Sequence, residues 1–244
     1  MSVLQGIDSH QHFWAYNEVD YTWMGAGPEW SVLKRSFLPA DLAPLLSSAS
    51  LRGCVAVQAR QSLQETAWLL ELADAHSFIK GVVGWVDLRA APSELTAQLE
   101  SFAAHRAFVG VRHVIHDEPD ACAFMSDPAF RAGIAQLAGK NLTYDLLLFP
   151  EHLSAATELV AAFPGQTFVL DHMGNPDVKA GSAAAMGPYL TDLKALAAFK
   201  NVTVKLSGMV TKADWQGQGG KMDDSLFKPF IDAVLESFGP DREL

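Results

Sequence analysis

Leu4-Gln5-Gly6-Ile7-Asp8-Ser9-His10-Gln11-His12 sets a short, partly apolar run against two histidines spaced i and i+2. Read as a strand over Leu4–Ser9 closed by His10 and His12, it turns both imidazoles to one side of the chain, because strand side chains alternate with a period of two. Imidazole binds divalent metals through a neutral nitrogen and transfers protons near neutral pH. In parallel α/β barrels the C-terminal strand ends are where such groups converge.

Working outward from this run, short apolar stretches alternate with longer helical ones to the end of the chain. Strands are expected over Gly53–Ala59, Gly81–Val86, Val109–Val114, Leu142–Leu148, Thr167–Leu170 and Val202–Leu206. Most are too short for helices and carry β-branched or aromatic residues. Helical spacing of apolar residues marks Glu65–His76, Ser93–Phe102, Ala129–Leu137, His152–Phe163, Tyr189–Phe199 and Leu226–Phe238. Pro92-Ser93-Glu94 and Asp127-Pro128 read as helix entries. Regular β-α alternation implies parallel strands, since parallel neighbours need a crossover. The fold class expected is α/β, a (β/α)8 TIM-type barrel. Strands recur at roughly 25 to 35 residues, an ordinary barrel unit. That rhythm places the eighth strand at about residue 240, where Gly239-Pro240-Asp241-Arg242-Glu243-Leu244 ends the chain. The expectation is therefore one barrel domain over 1–244, truncated before strand eight, with the C-terminal strand and helix missing.

The bulk composition agrees with a large folded core. Hydrophobic residues make up 49% of the 244 and charged residues 19%, which separates the chain from disordered sequences. The net charge of −10 repels phosphate backbones and argues against a nucleic-acid partner. Cys54 and Cys122 form no C-x-x-C pair, so neither a disulfide framework nor a zinc ribbon is expected. Met1–Gly6 has no basic or apolar leader character, and no apolar run approaches a membrane span, so no membrane partner and a cytoplasmic location are expected. Oligomeric state is not legible. Two regions break the repeat. Phe13–Pro39 holds Trp14, Tyr16, Tyr21, Trp23, Trp30 and Phe37, and reads as an ordered loop packing on the mouth, as an aromatic wall of the substrate pocket, or as both. Trp215–Asp224, with Gly217, Gly219 and Gly220, reads as a lid or a plain surface loop.

Four of the eight histidines fall at strand ends: His10 and His12, His113 closing Gly110-Val111-Arg112-His113, and His172 in Leu170-Asp171-His172. A single such histidine is most often a packing residue; four together point to a site. His76, His105 and His152 fall in helical stretches and read as structural or surface residues, while His116 lies in a loop and stays open. Further strand-end polar residues are Gln58, Arg60, Trp85, Asp87, Arg112, Tyr144, Asp145, Lys205 and Ser207. Cations here bind substrate oxygens or stabilise an oxyanion; the competing reading pairs Asp87 and Asp145 with them in the interior. No phosphate-binding glycine loop, dinucleotide fingerprint or G-x-S-x-G elbow is present. Activation of water is then the favoured hydrolytic route.

These blocks carry a resemblance. Ile7-Asp8-Ser9-His10-Gln11-His12-Phe13-Trp14, Gly110-Val111-Arg112-His113, Leu170-Asp171-His172-Met173-Gly174-Asn175-Pro176 and Val204-Lys205-Leu206-Ser207-Gly208 resemble, in order, the amidohydrolase-2 family of the amidohydrolase superfamily. Val57-Gln58-Ala59-Arg60, Gly84-Trp85 and Thr211-Lys212-Ala213-Asp214-Trp215 are similar to its sugar-lactonase branch. The resemblance implies hydrolysis of a sugar-acid lactone of the L-fuconolactone kind, a small-molecule substrate. It implies one divalent metal ion, zinc first, on His10, His12 and His172, in a branch where not every enzyme depends on metal. His113, His172 and Arg112 take catalytic roles, and Gln58, Arg60, Trp85 and Lys205 meet the substrate. The general base it implies is an aspartate ending strand eight; Asp241 lies in the connection before that position. The alternatives are metal-dependent decarboxylation of an aromatic or unsaturated acid, and a binding protein on a degenerate barrel.

Overall fold

Asp8–Gln11 (β1), Cys54–Val57 (β2), Ile79–Gly84 (β3) and Phe108–His113 (β4) are extended, and each pairs in parallel with the next. The apolar side chains of β2, β3 and β4 leave water on both faces, as parallel strands require; Ala56, Val57 and Val82 are fully buried, whereas the polar residues of β1 are all half-buried. The computed structural model describes residues 6–179, 183–213 and 224–244. Within it the chain divides into two units, Met1–Asp87 with Ser93–Arg112, and Leu88–Pro92 with His113–Leu244.

In the first unit Pro39–Ser48 (α1), Leu63–Ala75 (α2) and Pro92–Ala103 (α3) follow the successive strands. Ser62 caps α2 by accepting from the Glu65 N–H at 3.3 Å, and Leu69 of that helix is fully buried. A buried leucine of this kind is worth roughly 1.5 to 3 kcal/mol. The aromatic segment after β1 has a core of its own in Trp14, Tyr21 and Met24, with Tyr16, Trp30, Leu33, Phe37 and Ala59 packed against it. Its base is closed by an antiparallel bridge between Trp14 and Phe37, with N···O distances of 3.0 and 2.9 Å. The Trp14 indole N–H adds a bond to the Arg35 carbonyl at 2.7 Å.

The second unit runs Ala121–Ser126 (α4), Pro128–Leu137 (α5), Thr143–Leu146 (β5), Leu153–Ala162 (α6), Phe168–Leu170 (β6), Ala183–Ala197 (α7), Val202–Val204 (β7), Met209–Lys212 (α8) and Lys228–Phe238 (α9). Strands β5, β6 and β7 pair in parallel in chain order. Asp127 caps α5 through the Ala129 N–H at 2.8 Å, with Pro128 at its first turn, as the dipeptide implied.

Several expectations need adjustment. The first strand lies later than Leu4–Ser9: Gly6 and Ile7 stay outside it, and β1 takes in His10 and Gln11. A register irregularity against β2 falls between Asp8 and Gln11. Helix α1 has no apolar period to mark it, because Pro44 sits inside it and only Pro39 and Leu46 are buried. His105 lies in the turn beyond α3, where it pairs with Asp74 at 3.2 Å. Near residue 240, Glu243 forms a parallel bridge with Val204, and Leu244 exchanges backbone bonds of 2.9 and 3.1 Å with Val204 and Leu206. Glu243 and Leu244 thus make one isolated parallel bridge beside β7. Residues 215–223 of the expected lid lie outside the described residues. Both cysteines are free, and no described helix is long and apolar enough to cross a membrane.

Candidate active site

In the first unit the histidine pair meets an arginine. His10 stands in β1 and His12 one residue beyond it, and their Nε2 atoms lie 3.2 Å apart. The proton positions follow from the partners. His12 Nδ1 is 2.8 Å from the Val57 carbonyl oxygen, which only accepts, so Nδ1 carries the hydrogen and Nε2 a lone pair. Arg112 Nη1 is 3.3 Å from His10 Nε2, and a guanidinium only donates, so that nitrogen also presents a lone pair. The two Nε2 atoms thus lie within one ligand spacing of each other, beside the Arg112 guanidinium. Two imidazole ligands of a tetrahedral zinc ion, at roughly 2.0 to 2.1 Å each, stand about 3.3 Å apart. The donor set and its spacing therefore fit the metal that the resemblance implies.

Arg112 is itself 3% exposed. Its Nη2 donates to the Gln58 carbonyl at 2.6 Å and to Gln58 Oε1 at 3.2 Å. Gln58, the first residue after β2, is fully buried. Arg60 follows it, with Nη1 2.7 Å from Asp20 and Nε 3.7 Å from Glu65. Trp85 follows β3 and is half-buried, its backbone N–H donating to Thr66 Oγ1 at 2.8 Å.

Glu65 belongs to the first turn of α2, not to a strand end. It is 1% exposed, and Oε2 accepts the N–H groups of Ala59 and Arg60 at 2.9 and 2.7 Å. Burial pushes its carboxyl up to about 7, against the opposing pull of those two amides and of Arg60 and Arg112. The signal was present: Ser62-Leu63-Gln64-Glu65 has the S-x-x-E form of a helix start. Here the glutamate reaches past the cap to the end of β2.

The second unit holds the other candidates. His172 follows β6 in a left-handed stretch, with φ of 53° at His172, 57° at Met173, 75° at Gly174 and 52° at Asn175. Non-glycine residues in this region carry strain of order 1 to 3 kcal/mol each. The stretch is pinned by Tyr189 OH to the Met173 carbonyl at 2.9 Å and by Asn175 Nδ2 to the Leu148 carbonyl at 2.8 Å. His172 Nδ1 lies 2.7 Å from Ser207 Oγ. Gly208 (φ 80°) leaves room for this ring, since a Cβ there would come within 2.7 Å of His172 Cβ.

His113 ends β4 with Nε2 2.6 Å from Glu118 Oε1, its ring stacked on Phe124 at 4.6 Å. A carboxylate and an aromatic face thus fix the imidazole. Glu118 lies just beyond a short 3-10 turn, where periodicity says nothing. His116, left open by the sequence, stacks on Phe149 at 4.5 Å and pairs with Asp117 at 2.8 Å. His152 ends the 3-10 turn Pro150–His152, its Nδ1 accepting from the Phe149 N–H at the start of that turn at 3.2 Å.

Lys205, just past β7, is 3% exposed, and its ammonium lies 2.5 Å from Asp145 and 2.8 Å from Asp171. Burial alone would lower the Lys205 pKa; the two carboxylates outweigh it and hold it above the ordinary lysine value. The interior pairing considered for Asp145 is present, and it occupies Lys205.

Comparison with known proteins gives this geometry a family. The amidohydrolase family model matches residues 7–244. An L-fucono-1,5-lactonase of Burkholderia multivorans is 40% identical over 238 residues, covering 97% of this chain and 79% of the relative. An L-fucono-1,5-lactonase of Burkholderia ambifaria is 33% identical over 236 residues, covering 97% and 77%. A crystal structure of a Burkholderia multivorans amidohydrolase with bound zinc superposes with a TM-score of 0.88 at 40% identity, over 98% of this chain and 82% of that one. The α/β barrel class expected from the β-α alternation is borne out by that match.

Proposed function

This chain belongs to the amidohydrolase family, and from that premise we propose that it opens a sugar-acid lactone of the L-fucono-1,5-lactone kind by adding water to the ring carbonyl. The observation that carries the reading is the pair of imidazole Nε2 nitrogens of His10 and His12, 3.2 Å apart and flanked by the Arg112 guanidinium. The activity of the two Burkholderia lactonases supports the substrate class. The zinc in the related crystal structure supports zinc as the metal.

His10 and His12 are the ligands this geometry favours, and His172 is added as a third on the family resemblance alone. Zinc bound there supplies Lewis acidity toward a carbonyl oxygen. Arg112 donates to that oxygen as it becomes an oxyanion, and burial against Gln58 keeps the guanidinium oriented before substrate arrives. Water adds to the carbonyl carbon, the bond to the ring oxygen breaks, and that oxygen takes a proton. The new carboxylic acid then ionises, so each turnover releases one proton. His113 is assigned proton handling, while His172 acts through the metal, its Nδ1 held by Ser207. The Glu118 carboxylate on His113 Nε2 keeps the hydrogen there and leaves Nδ1 as the basic nitrogen. Trp85 and Arg60 are assigned to the sugar hydroxyls, and Gln58, fully buried, serves them by holding Arg112. Lys205 serves by fixing Asp171, the neighbour of His172.

Zinc uptake tests the site separately from the reaction. After chelator treatment and reloading, the full-length protein is expected to bind about one zinc ion per chain, as a mononuclear site does. His12→Asn is expected to bind it at least tenfold more weakly. Equal zinc affinity in His10→Asn, His12→Asn and wild type would remove the metal from this pair.

A further inference from the structure

Arg60 stands at a strand end, where a substrate contact is expected, yet its guanidinium is engaged within the first unit. Nη1 lies 2.7 Å from Asp20 Oδ1, the group stands 5.2 Å over the Tyr21 ring, and Nε is 3.7 Å from Glu65 Oε1, a contact of charges too long for a hydrogen bond. Asp20 and Tyr21 belong to the aromatic segment between its closed ends at Trp14 and Phe37. Asp20 is held in a local turn: Asn17 Oδ1 accepts the Val19 and Asp20 N–H groups at 3.1 and 2.9 Å, and Asn17 Nδ2 donates to Asp20 Oδ2 at 2.8 Å. One Asp20 oxygen is thus committed to the turn and the other to Arg60. Tyr21 is 3% exposed, inside the segment's own core. On the opposite side, Glu65 holds the Ala59 and Arg60 amides directly after Gln58, the residue that carries Arg112.

We propose that Asp20, Arg60 and Glu65 form a clamp that pins the aromatic segment to the end of β2, so that Arg60 acts on substrate binding as a positioning residue, through the segment. One cation joins both sides because a guanidinium presents several donors in a plane and a face that stacks on a ring. Lysine supplies neither, so the position favours arginine. The kinetic part of this inference rests on the lactonase reading; the structural part does not.

The test compares the full-length wild type with Asp20→Asn, Asp20→Glu and Arg60→Met by two measurements. One is the rate of tryptic cleavage after Lys34 or Arg35, in the returning half of the segment, with no substrate present. The other is KM and kcat for lactone opening. Asp20→Asn and Arg60→Met are expected to speed cleavage about tenfold or more, since cleavage tracks local opening. Both are expected to raise KM about five- to tenfold while kcat changes less than about threefold. Asp20→Glu keeps the pair and stays near wild type in both. If Asp20→Asn cleaves at the wild-type rate with unchanged KM while Arg60→Met raises KM, Arg60 touches substrate directly and the clamp is wrong. Should the wild type open no lactone, the lactonase reading fails alone: faster cleavage of Asp20→Asn still supports the clamp, and an unchanged rate still overturns it.

Discussion

Glu65 shows at the scale of one residue what the fold asks of its site. A carboxyl raised from 4.5 to about 7 by burial is more easily protonated in the folded state than in the unfolded one. Its contribution to stability is therefore fully present below about 4.5 and is lost as pH rises through about 7. The groups facing it are Arg60, Arg112 and Tyr21; the two guanidiniums limit the shift, and Glu65 in turn helps burial hold the Tyr21 hydroxyl up at about 12. Urea unfolding at pH 5 and pH 8 should show wild type losing about 2 to 3 kcal/mol more than Glu65→Gln over that interval, from the linkage of about 1.4 kcal/mol per unit. An equal pH slope in the two proteins would place no such charge at this position. The sequence announced His10, His12, His113 and His172 because strand-end histidines stand out by type and spacing. It was silent on Glu65, Glu118 and Ser207 as partners. Their roles come from reaching another element or an irregular turn, and no local period records that.

At the scale of elements, the ends of β5, β6 and β7 are tied by one lysine. Asp145 lies in β5, Asp171 follows β6 and Lys205 follows β7, all 3% exposed or less. Such a triad is weak evidence of net stabilisation, but breaking it is costly because it strands a charge. Lys205→Met leaves two buried carboxylates without their cation. It is expected to lose about 3 to 5 kcal/mol in thermal or urea unfolding. A loss under about 1 kcal/mol would show that the carboxylates need no such partner. Elements with a clear period were legible: α2, α3, α5, α6 and the buried strands β2 to β7 lie where spacing placed them, give or take two or three residues at their ends. β1 was misplaced because its register against β2 is irregular, and α1 was missed because a proline and mostly exposed residues erase its period. Register and caps, not composition, decide those ends.

For the whole molecule, family and fold class follow from ordered blocks spread along residues 7–244, and the structural match at a TM-score of 0.88 agrees with them. The aromatic segment was legible as a feature but not in its organisation. Its core of Trp14, Tyr21 and Met24 is assembled from residues that no strand or helix period connects. The proposed reaction is argued from the paired imidazole nitrogens and Arg112, read together with lactonases 40% and 33% identical. The most direct test is the initial rate of proton release from L-fucono-1,5-lactone by the zinc-loaded full-length protein, corrected for spontaneous opening. Release far above the spontaneous rate is expected, abolished by chelator and restored by zinc. No acceleration with any sugar lactone, alongside carbon dioxide release from an aromatic acid such as a dihydroxybenzoate, would contradict it and make the enzyme a decarboxylase.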